Sequence, residues 1–234
     1  MYLLVPICRT LRKIVIAIDG PAASGKSTTA RLVADRLGYL HIDTGAMYRA
    51  VTLRVLEERI SLEDVGGIGA LAEATNIRLE RSAGTNKVYI GDRDVTREVR
   101  LEPVTRSVSL VSSYQQVRNV LVREQRRMAR GGGVVLEGRD IGTVVLPNAE
   151  LKIFMVARVS ERVKRRKIDL EAAGVIIEPA DLEQEILERD RLDSTRELSP
   201  LRKAEGAIEV DTSTMTIEEQ VQFVVDRANE IMKD

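Results

Sequence analysis

A glycine-rich stretch near the start of the chain has the residue types and spacing of a phosphate-binding loop. Residues 20–28 fit the pattern G-x-x-x-x-G-K-[ST]. Glycines at both ends let backbone N–H groups converge on phosphate oxygens, and a helix N-terminus adds partial positive charge. We therefore expect a nucleoside triphosphate to bind at Gly20, Pro21, Ala22, Ala23, Ser24, Gly25, Lys26, Ser27 and Thr28.

Two side chains of this loop carry specific chemistry. Lys26 is expected to reach the β- and γ-phosphates, and the Ser27 hydroxyl is expected to bind the accompanying Mg²⁺. The flanking sequence agrees, because residues 14–18 are continuously apolar, as in a strand buried on both faces. Apolar residues then recur at helical spacing up to Gly38, which is typical of a helix end. A glycine-rich turn that matches by chance would lack these flanks.

Two basic stretches in the second half of the chain are candidates for contact with the transferred phosphoryl group. They are separated by a turn around Gly174 and consist of Arg162, Lys164, Arg165, Arg166 and Lys167, followed by Arg189, Arg191 and Arg196. Phosphoryl transfer is catalysed mainly by positioning and by cations, and arginine grips phosphate oxygens bidentately. A helix–loop–helix here could fold over a triphosphate. The alternative is a solvated helix whose cations pair with Glu161, Asp169, Glu171 or Glu185.

Composition excludes several other classes of function. The 234 residues contain 36 Lys plus Arg and 36 Asp plus Glu, which argues against a nucleic-acid binder, since such proteins need excess positive charge. An aromatic content of 3% leaves little material for stacking bases. The single cysteine, Cys8, cannot form an internal disulfide and indicates a reducing cytoplasm. No apolar run approaches the length of a membrane span, so we expect neither a nucleic-acid nor a membrane partner.

The order of predicted elements indicates one parallel sheet with helices on both faces. Apolar strands are expected at residues 14–18, 39–42, 134–136, 151–156 and 207–210, with helical patterns between them. Between residues 66 and 98 the pattern changes to short β-like pieces, which indicates a small antiparallel insertion. Residues 1–13 are expected to form a disordered tail. Asp43 and Thr44 supply a helix N-cap, and Thr216 with Glu219 forms a capping box before the last helix.

A charged motif follows the predicted strand at 134–136. Glu137, Gly138, Arg139 and Asp140 lie where ligands bind in open parallel sheets, beyond the carboxyl end of a strand. Arg139 and Asp140 could instead pair with each other. The only histidine, His41, is interpreted as structural, because the sequence offers it no catalytic partner.

Four segments together resemble the bacterial type I cytidylate kinases: GPAASGKST, HIDTGAMYRA, EGRDIGTVVLPNAELKIF and ERDRLDSTR. The resemblance implies a three-layer α/β P-loop fold over residues 14–234, with a parallel core sheet. It also implies a monophosphate-binding insertion at about 66–98 and a helical lid at about 160–196. The implied reaction is transfer of the γ-phosphoryl group of ATP to CMP or dCMP with Mg²⁺. We expect a cytoplasmic monomer.

Residue roles follow from the resemblance, position by position. It places Thr44, Arg49 and Arg139 at the monophosphate, and Ser109, Arg118 and Asp140 at the cytosine. The chemistry fits, because a carboxylate such as Asp140 accepts from the cytosine amine and repels the uracil carbonyl. Sugar contacts are implied for Arg189 and Asp193, and lid contacts near the transferred group for Arg165 and Arg196. The expected catalytic set is Lys26, Arg139, Arg165 and Arg196.

Two residues of the site depart from the family pattern. Ala22 stands where some members have a serine that touches the monophosphate, and Glu137 stands where aspartate is common. The main alternative function is that of another P-loop kinase, which would phosphorylate UMP and CMP equally or would act on a non-nucleotide such as shikimate. A nucleotide-dependent switch would need an Asn-Lys-x-Asp motif, and residues 86–89, Asn-Lys-Val-Tyr, do not fit it.

Overall fold

The computed structural model describes residues 12–82, 85–172 and 174–233. Its strands are β1 (Val15–Asp19), β2 (Leu40–Asp43), β3 (Ile77–Ser82), β4 (Thr85–Ile90), β5 (Arg93–Asp94), β6 (Val134–Gly138), β7 (Leu151–Val156) and β8 (Ile208–Asp211). Its α-helices are α1 (Lys26–Leu37), α2 (Thr44–Glu57), α3 (Val65–Ala74), α4 (Glu102–Val111), α5 (Gln115–Ala129), α6 (Val159–Ala172), α7 (Pro179–Thr195) and α8 (Ile217–Lys233). A 3₁₀ turn covers Glu98–Arg100, and a π-helical turn covers Ile141–Val145.

The main sheet is parallel and places the motifs at one edge. Its strand order is β2-β6-β1-β7-β8, with β1 at the centre. At the carboxyl end of β1, Asp19 pairs with Gly138 of β6 and with Phe154 of β7. The phosphate-loop candidate and the Arg139-Asp140 pair therefore leave adjacent strands at the same edge. The predicted parallel sheet is confirmed.

The central strand is buried on both faces, as its apolar sequence predicts. Ile16 and Ile18 pack with residues of α1 and α8 on one face of the sheet. Ala17 packs on the other face, with residues of α2 and α5. This alternation gives three layers, helix, sheet and helix, and confirms the predicted fold class.

Helix boundaries follow local chemistry. The Asp43 side chain accepts from the backbone N–H of Ala46 at 2.9 Å, which caps α2 as predicted. The capping box before α8 is present: Thr216 Oγ accepts from the Glu219 N–H, and the Glu219 carboxylate accepts from the Thr216 N–H. These caps fix where α2 and α8 begin.

The β-like pieces expected between residues 66 and 98, at 77–79 and 88–90, lie within β3 and β4, but the start of that region is helical. Residues Val65–Ala74 form the helix α3 and not β-like pieces, with Asp64 capping it by accepting from the Gly67 N–H at 2.8 Å. Glycine disfavours helices, but packing outweighs that preference here. A Cβ atom at Gly69 would lie 2.7 Å from Gln116 Cβ of α5, so the glycine lets the two helices approach closely. Ile68 and Ala72 bury the inner face of α3.

The remainder of that region forms the predicted small antiparallel sheet. Its order is β3-β4-β5. Val88 and Val95 of this region pack against Ala50 and Leu53 of α2, which attaches the small sheet to the core. The monophosphate-binding role of this insertion stays a prediction.

The helices α6 and α7 form the predicted helix–loop–helix. Among the described residues, their shared apolar cluster contains three buried residues, Val163, Leu182 and Ile186, so the pair has a small core of its own. Residues 1–11 of the predicted tail lie outside the described residues, and Arg12 pairs with Glu150 at 2.9 Å. In the part of the chain that the structure describes, no helix is long and apolar enough to cross a membrane.

Candidate active site

The loop at residues 20–28 has the backbone conformation of an anion-binding nest. Ala23 has φ of +57° and Gly25 has φ of +91°, values that turn successive N–H groups toward one side. A Cβ atom at Gly25 would lie 2.9 Å from Gln220 Oε1 of α8, so only glycine fits. The Gln220 amide is held in turn by Thr29, whose hydroxyl donates to Oε1 at 2.9 Å. Helix α8 therefore braces the loop.

Lys26, the first residue of α1, lies in a strongly positive environment. It is buried, and its Nζ donates to the Pro21 carbonyl at 3.3 Å. Burial, together with the charges of Arg139 and Arg189, lowers the pKa of Lys26 to about 7, whereas the charge of Glu137 opposes this shift. A phosphate group between these cations would remove the repulsion.

Ser27 and Glu137 meet beside the loop, with His41 behind them. The Ser27 hydroxyl donates to Glu137 Oε2, and His41 Nε2 lies 3.2 Å from Glu137 Oε1. Burial raises the pKa of Glu137, but His41, Lys26 and the Ser27 hydroxyl together hold that pKa below its usual value. The sequence did not indicate Glu137 as a neighbour of His41, which β2 carries onto the adjacent strand β6, and the structural interpretation of His41 stays a prediction. A carboxylate and a hydroxyl are oxygen ligands of the kind Mg²⁺ prefers.

Three arginines from separate elements lie close enough to influence one another, and two of them, Arg139 and Arg189, also act on Lys26. Arg49 comes from α2, Arg139 from the end of β6 and Arg189 from α7. Burial lowers the pKa of Arg189 to about 10, and the charges of Arg139 and Arg49 add to the effect. Burial also lowers the pKa of Arg49, to which Arg139 contributes. The Arg189 Nε is buried and has no hydrogen-bond partner among the described residues, so an acceptor is missing at this point.

Arg139 is held by an acidic residue of α7. Its Nε donates to Asp193 Oδ2 at 2.7 Å, and both side chains are mostly buried. Burial raises the pKa of Asp193, but Arg139 outweighs that effect and the net pKa is lowered. The alternative in which Arg139 pairs with Asp140 was wrong, because the two side chains have different partners.

Asp140 belongs to a second charged group. It accepts from Arg118 Nη2 of α5 in a buried pair, and Arg196 Nη2 lies 3.9 Å from its other oxygen. The Arg118 guanidinium also lies 5.8 Å from the centre of the Tyr48 ring. Arg118, Asp140 and Arg196 are therefore brought together, at one side of Arg139.

The basic helix α6 contacts the loop through two arginines. Arg162 donates to the Ala22 carbonyl at 3.2 Å and pairs with Asp190 of α7. Arg165 donates to Thr212 beyond β8 and lies next to Gly25. Arg165 and Arg196 thus contact different parts of the site. Other cations of the two helices form the expected ion pairs with acidic neighbours: Lys164 with Glu161, Lys167 with Glu171 and Arg191 with Glu188.

For two predicted site residues, Thr44 and Ser109, the observed contacts do not indicate a role in binding the acceptor. Thr44 is buried, and its hydroxyl donates to the Glu137 carbonyl at 2.7 Å, so it ties α2 to β6. Ser109 lies half-buried on α4, and in the described part of the chain its hydroxyl makes no hydrogen bond to Arg118 or Asp140. Their roles at the acceptor stay predictions.

Sequence reasoning missed two charged residues at this edge, the buried Asp19 and the half-buried Asp190. Asp19 ends β1 and accepts from the backbone N–H groups of Ile141 and Gly142. Asp190 holds Arg162 against the loop. A carboxylate at the end of an apolar strand was a visible signal for Asp19. No local signal marked Asp190, because it lies within a run of alternating charges.

The fold and the loop define the chain as a P-loop nucleotide-binding protein. A model of the family described as "Cytidylate kinase" matches residues 16–230. The chain belongs to the cytidylate kinase family, and it is a kinase.

Curated relatives agree with this assignment, and one solved structure shares the fold alone. A cytidylate kinase of Geobacillus sp. (strain WCH70) is 50% identical over 215 residues, which cover 92% of this chain and 96% of the relative. A cytidylate kinase of Bacillus pumilus (strain SAFR-032) is 47% identical over 222 residues, covering 95% and 99%. An uncharacterized protein of Eubacterium ventriosum ATCC 27560 has a similar fold, with a TM-score of 0.51, 12% identity and coverage of 94% and 99%.

Proposed function

We propose that this chain transfers the γ-phosphoryl group of ATP to CMP or dCMP, releasing ADP and CDP or dCDP. Family membership supplies the reaction. One structural observation supports the location: the charge of Arg189 interacts with those of Arg139, Arg49 and Lys26, and among the described residues its buried Nε has no hydrogen-bond acceptor. Such a cluster is stabilised by a doubly charged phosphate group.

On the donor side, the loop binds the triphosphate and Lys26 acts on the transferred group. A bound triphosphate would restore the charge that burial weakens on Lys26, because an opposite charge nearby raises the pKa of an amine. The charged lysine then stabilises the charge that spreads over the phosphoryl oxygens in the transition state. Arg165, next to Gly25, is placed to add to this effect.

The proposed metal is Mg²⁺, held by Ser27 and oriented by Glu137. The residues fit, because the Ser27 hydroxyl and the Glu137 carboxylate already touch at the end of the loop. Among the described residues there is no cluster of three or more acidic, histidine or cysteine ligands. When bound, Mg²⁺ would neutralise negative charge that develops on the phosphate oxygens.

On the acceptor side, we assign different tasks to neighbouring residues. Arg139, fixed by Asp193, holds the monophosphate. Asp140, fixed by Arg118, accepts from the cytosine amine, and Arg118 donates to the ring acceptors. A uracil carbonyl in the same place would leave a buried repulsive contact, so UMP is the poorer acceptor.

The helices α6 and α7 are proposed to act as a lid. Their small apolar core and their polar contacts, from Arg162 to the loop and from Arg165 to Thr212, suit a unit that moves when phosphate is bound. Closure would bring Arg189 and Arg196 onto the substrates and exclude water. The monomeric state and the cytoplasmic location predicted from the sequence stay predictions.

The test is an acceptor panel with ATP and Mg²⁺. Initial rates of ADP release are compared for CMP, dCMP, UMP, AMP and shikimate. The proposal expects the highest kcat/KM with CMP and dCMP and a much lower value with UMP. Equal kcat/KM for UMP and CMP would contradict the cytosine assignment, and a preference for shikimate would contradict the nucleotide acceptor itself.

A further inference from the structure

Asp19 is a buried carboxylate that the proposed mechanism does not use. It is the last residue of β1, directly before the loop, and is 4% exposed. The N–H of Ile141 donates to its Oδ1 and the N–H of Gly142 donates to its Oδ2, each at 2.8 Å. Both oxygens of this carboxylate are therefore used, in hydrogen bonds of the stronger, charge-assisted kind.

The same residue also holds the other end of the Arg139-Asp140 segment. The backbone of Asp19 pairs with Gly138 in the β1–β6 ladder. Gly138 precedes Arg139, and Ile141 follows Asp140. A two-residue span that carries the proposed phosphate-binding and base-reading side chains is thus tied at both ends to Asp19.

We propose that Asp19 is a positioning residue, which sets Arg139 and Asp140 at a fixed place relative to the loop. This inference rests on the proposed function. Because Gly20 follows Asp19 directly, Asp19 connects the donor loop to the segment that carries Arg139 and Asp140. A misplacement of about 1 Å between reacting groups can lower the rate by about 10²-fold. The connection through Asp19 is therefore expected to affect the rate of phosphoryl transfer.

The electrostatics of Asp19 support a role beyond packing. Burial raises the pKa of Asp19 to about 6, and the charge of Asp140 adds to the rise, whereas Arg139 and the two backbone N–H groups oppose it. Burying a carboxylate is unfavourable unless its hydrogen bonds compensate. The two N–H groups begin the turn Ile141–Val145 and have no partner within it, so the carboxylate is what fixes them.

The test variant is Asp19→Asn. An asparagine offers one acceptor oxygen and one amide donor, so one of the two N–H groups would face a donor. We expect kcat/KM for CMP to fall about 10²-fold and the CMP-to-UMP preference to narrow. The dissociation constant for ATP, measured without acceptor, should stay unchanged. Asp64→Asn is the control, since it makes the same carboxylate-to-amide change at a residue that accepts a backbone N–H at the start of α3, and it should alter neither preference nor rate.

Two results would overturn the proposal. One is an Asp19→Asn protein with the original CMP kinetics and preference. The other is equal loss of ATP and CMP affinity, which would mean that Asp19 supports the strand as a whole. The unaltered chain is assayed on the same acceptors, so absence of a CMP preference there would count against the proposed function and not against Asp19.

A measurement on the unaltered protein covers the case in which Asp19→Asn does not fold. Hydrogen exchange of the Ile141 and Gly142 amides is followed by NMR without nucleotide. The proposal expects both amides to be protected. Exchange of both at the rate of an exposed loop would contradict it.

Discussion

The segment proposed to face the phosphoryl donor is continuous, residues 20–28, whereas the residues proposed to hold the acceptor come from five places: α2, α4, α5, the end of β6 and α7. The loop works mainly through its backbone, with φ values of +57° at Ala23 and +91° at Gly25. The acceptor side works through side chains held in ion pairs, such as Arg139 with Asp193. The donor side is therefore set by local conformation, and the acceptor side by long-range packing.

This difference predicts how substitutions on each side change the activity. A change in the donor loop removes charge at the reacting phosphoryl group and should affect every acceptor equally. A change on the acceptor side should separate into effects on phosphate binding and effects on base choice. The following variants test that separation.

The largest effect is expected for Lys26→Ala. This change removes the lysine cation of the loop and leaves its backbone conformation in place. Activity should therefore fall by at least ~10³-fold, the scale of a lost transition-state contact. Steady-state ADP release measures it. Lys164→Ala is the matched control, because Lys164 is exposed and pairs with Glu161. Near-normal turnover in a folded Lys26→Ala protein would refute the P-loop assignment.

A smaller loss is expected for Arg139→Ala, on the order of 10²-fold. CMP and UMP should lose activity by the same factor, since phosphate contacts carry no base information. Arg191→Ala serves as control, as Arg191 is exposed and pairs with Glu188 of the same helix. If Arg139→Ala changes the CMP-to-UMP ratio of kcat/KM, the phosphate assignment is wrong.

A third variant, Glu137→Gln, concerns the metal. Losing the carboxylate beside Ser27 should raise the Mg²⁺ concentration needed for half-maximal rate by about 10-fold, the lower end of effects seen for groups that orient metal ligands. The rate is measured as a function of free Mg²⁺ at saturating ATP and CMP. An unchanged Mg²⁺ dependence would remove Glu137 from the metal site.

The smallest effect is expected in hydrogen exchange of α6 and α7. Their peptides should become better protected when both nucleotide sites are filled by a bisubstrate analogue, because closure adds contacts to a pair of helices with a small core. Peptides of β1 and β6 provide the internal reference. Equal exchange in α6 and α7 with and without the analogue would contradict the lid.

The parallel sheet, the loop and the helix pair could be predicted from the sequence, because each has a local signature. The helix α3 could not, since its glycines disfavour a helix and only contact with α5 explains them. The same holds for the partners of charged side chains. The pairings of Arg139 with Asp193 and of Arg118 with Asp140 join residues 54 and 22 positions apart. Such pairings depend on which strands and helices become neighbours.

The contact between His41 and Glu137 illustrates the same limit. The two residues are 96 positions apart, and they meet because β2 pairs with β6 in a register that sets His41 opposite Val135. Nothing in either local sequence indicates the contact. The resemblance to a family supplied roles for single residues, but the geometry that links those residues came only from the fold.

The central claim is that Asp140 reads the base while its neighbour Arg139 binds phosphate. The most direct measurement is the ratio of kcat/KM for CMP to that for UMP in Asp140→Asn, with Arg139→Ala as the control. Asparagine replaces one acceptor oxygen with a donor, which weakens the contact with the cytosine amine and relieves the repulsion of the uracil carbonyl. The ratio should drop by a factor corresponding to about 1–3 kcal/mol, while Arg139→Ala leaves it unchanged. Loss of activity on both acceptors by the same factor in Asp140→Asn would contradict the claim and place base recognition elsewhere.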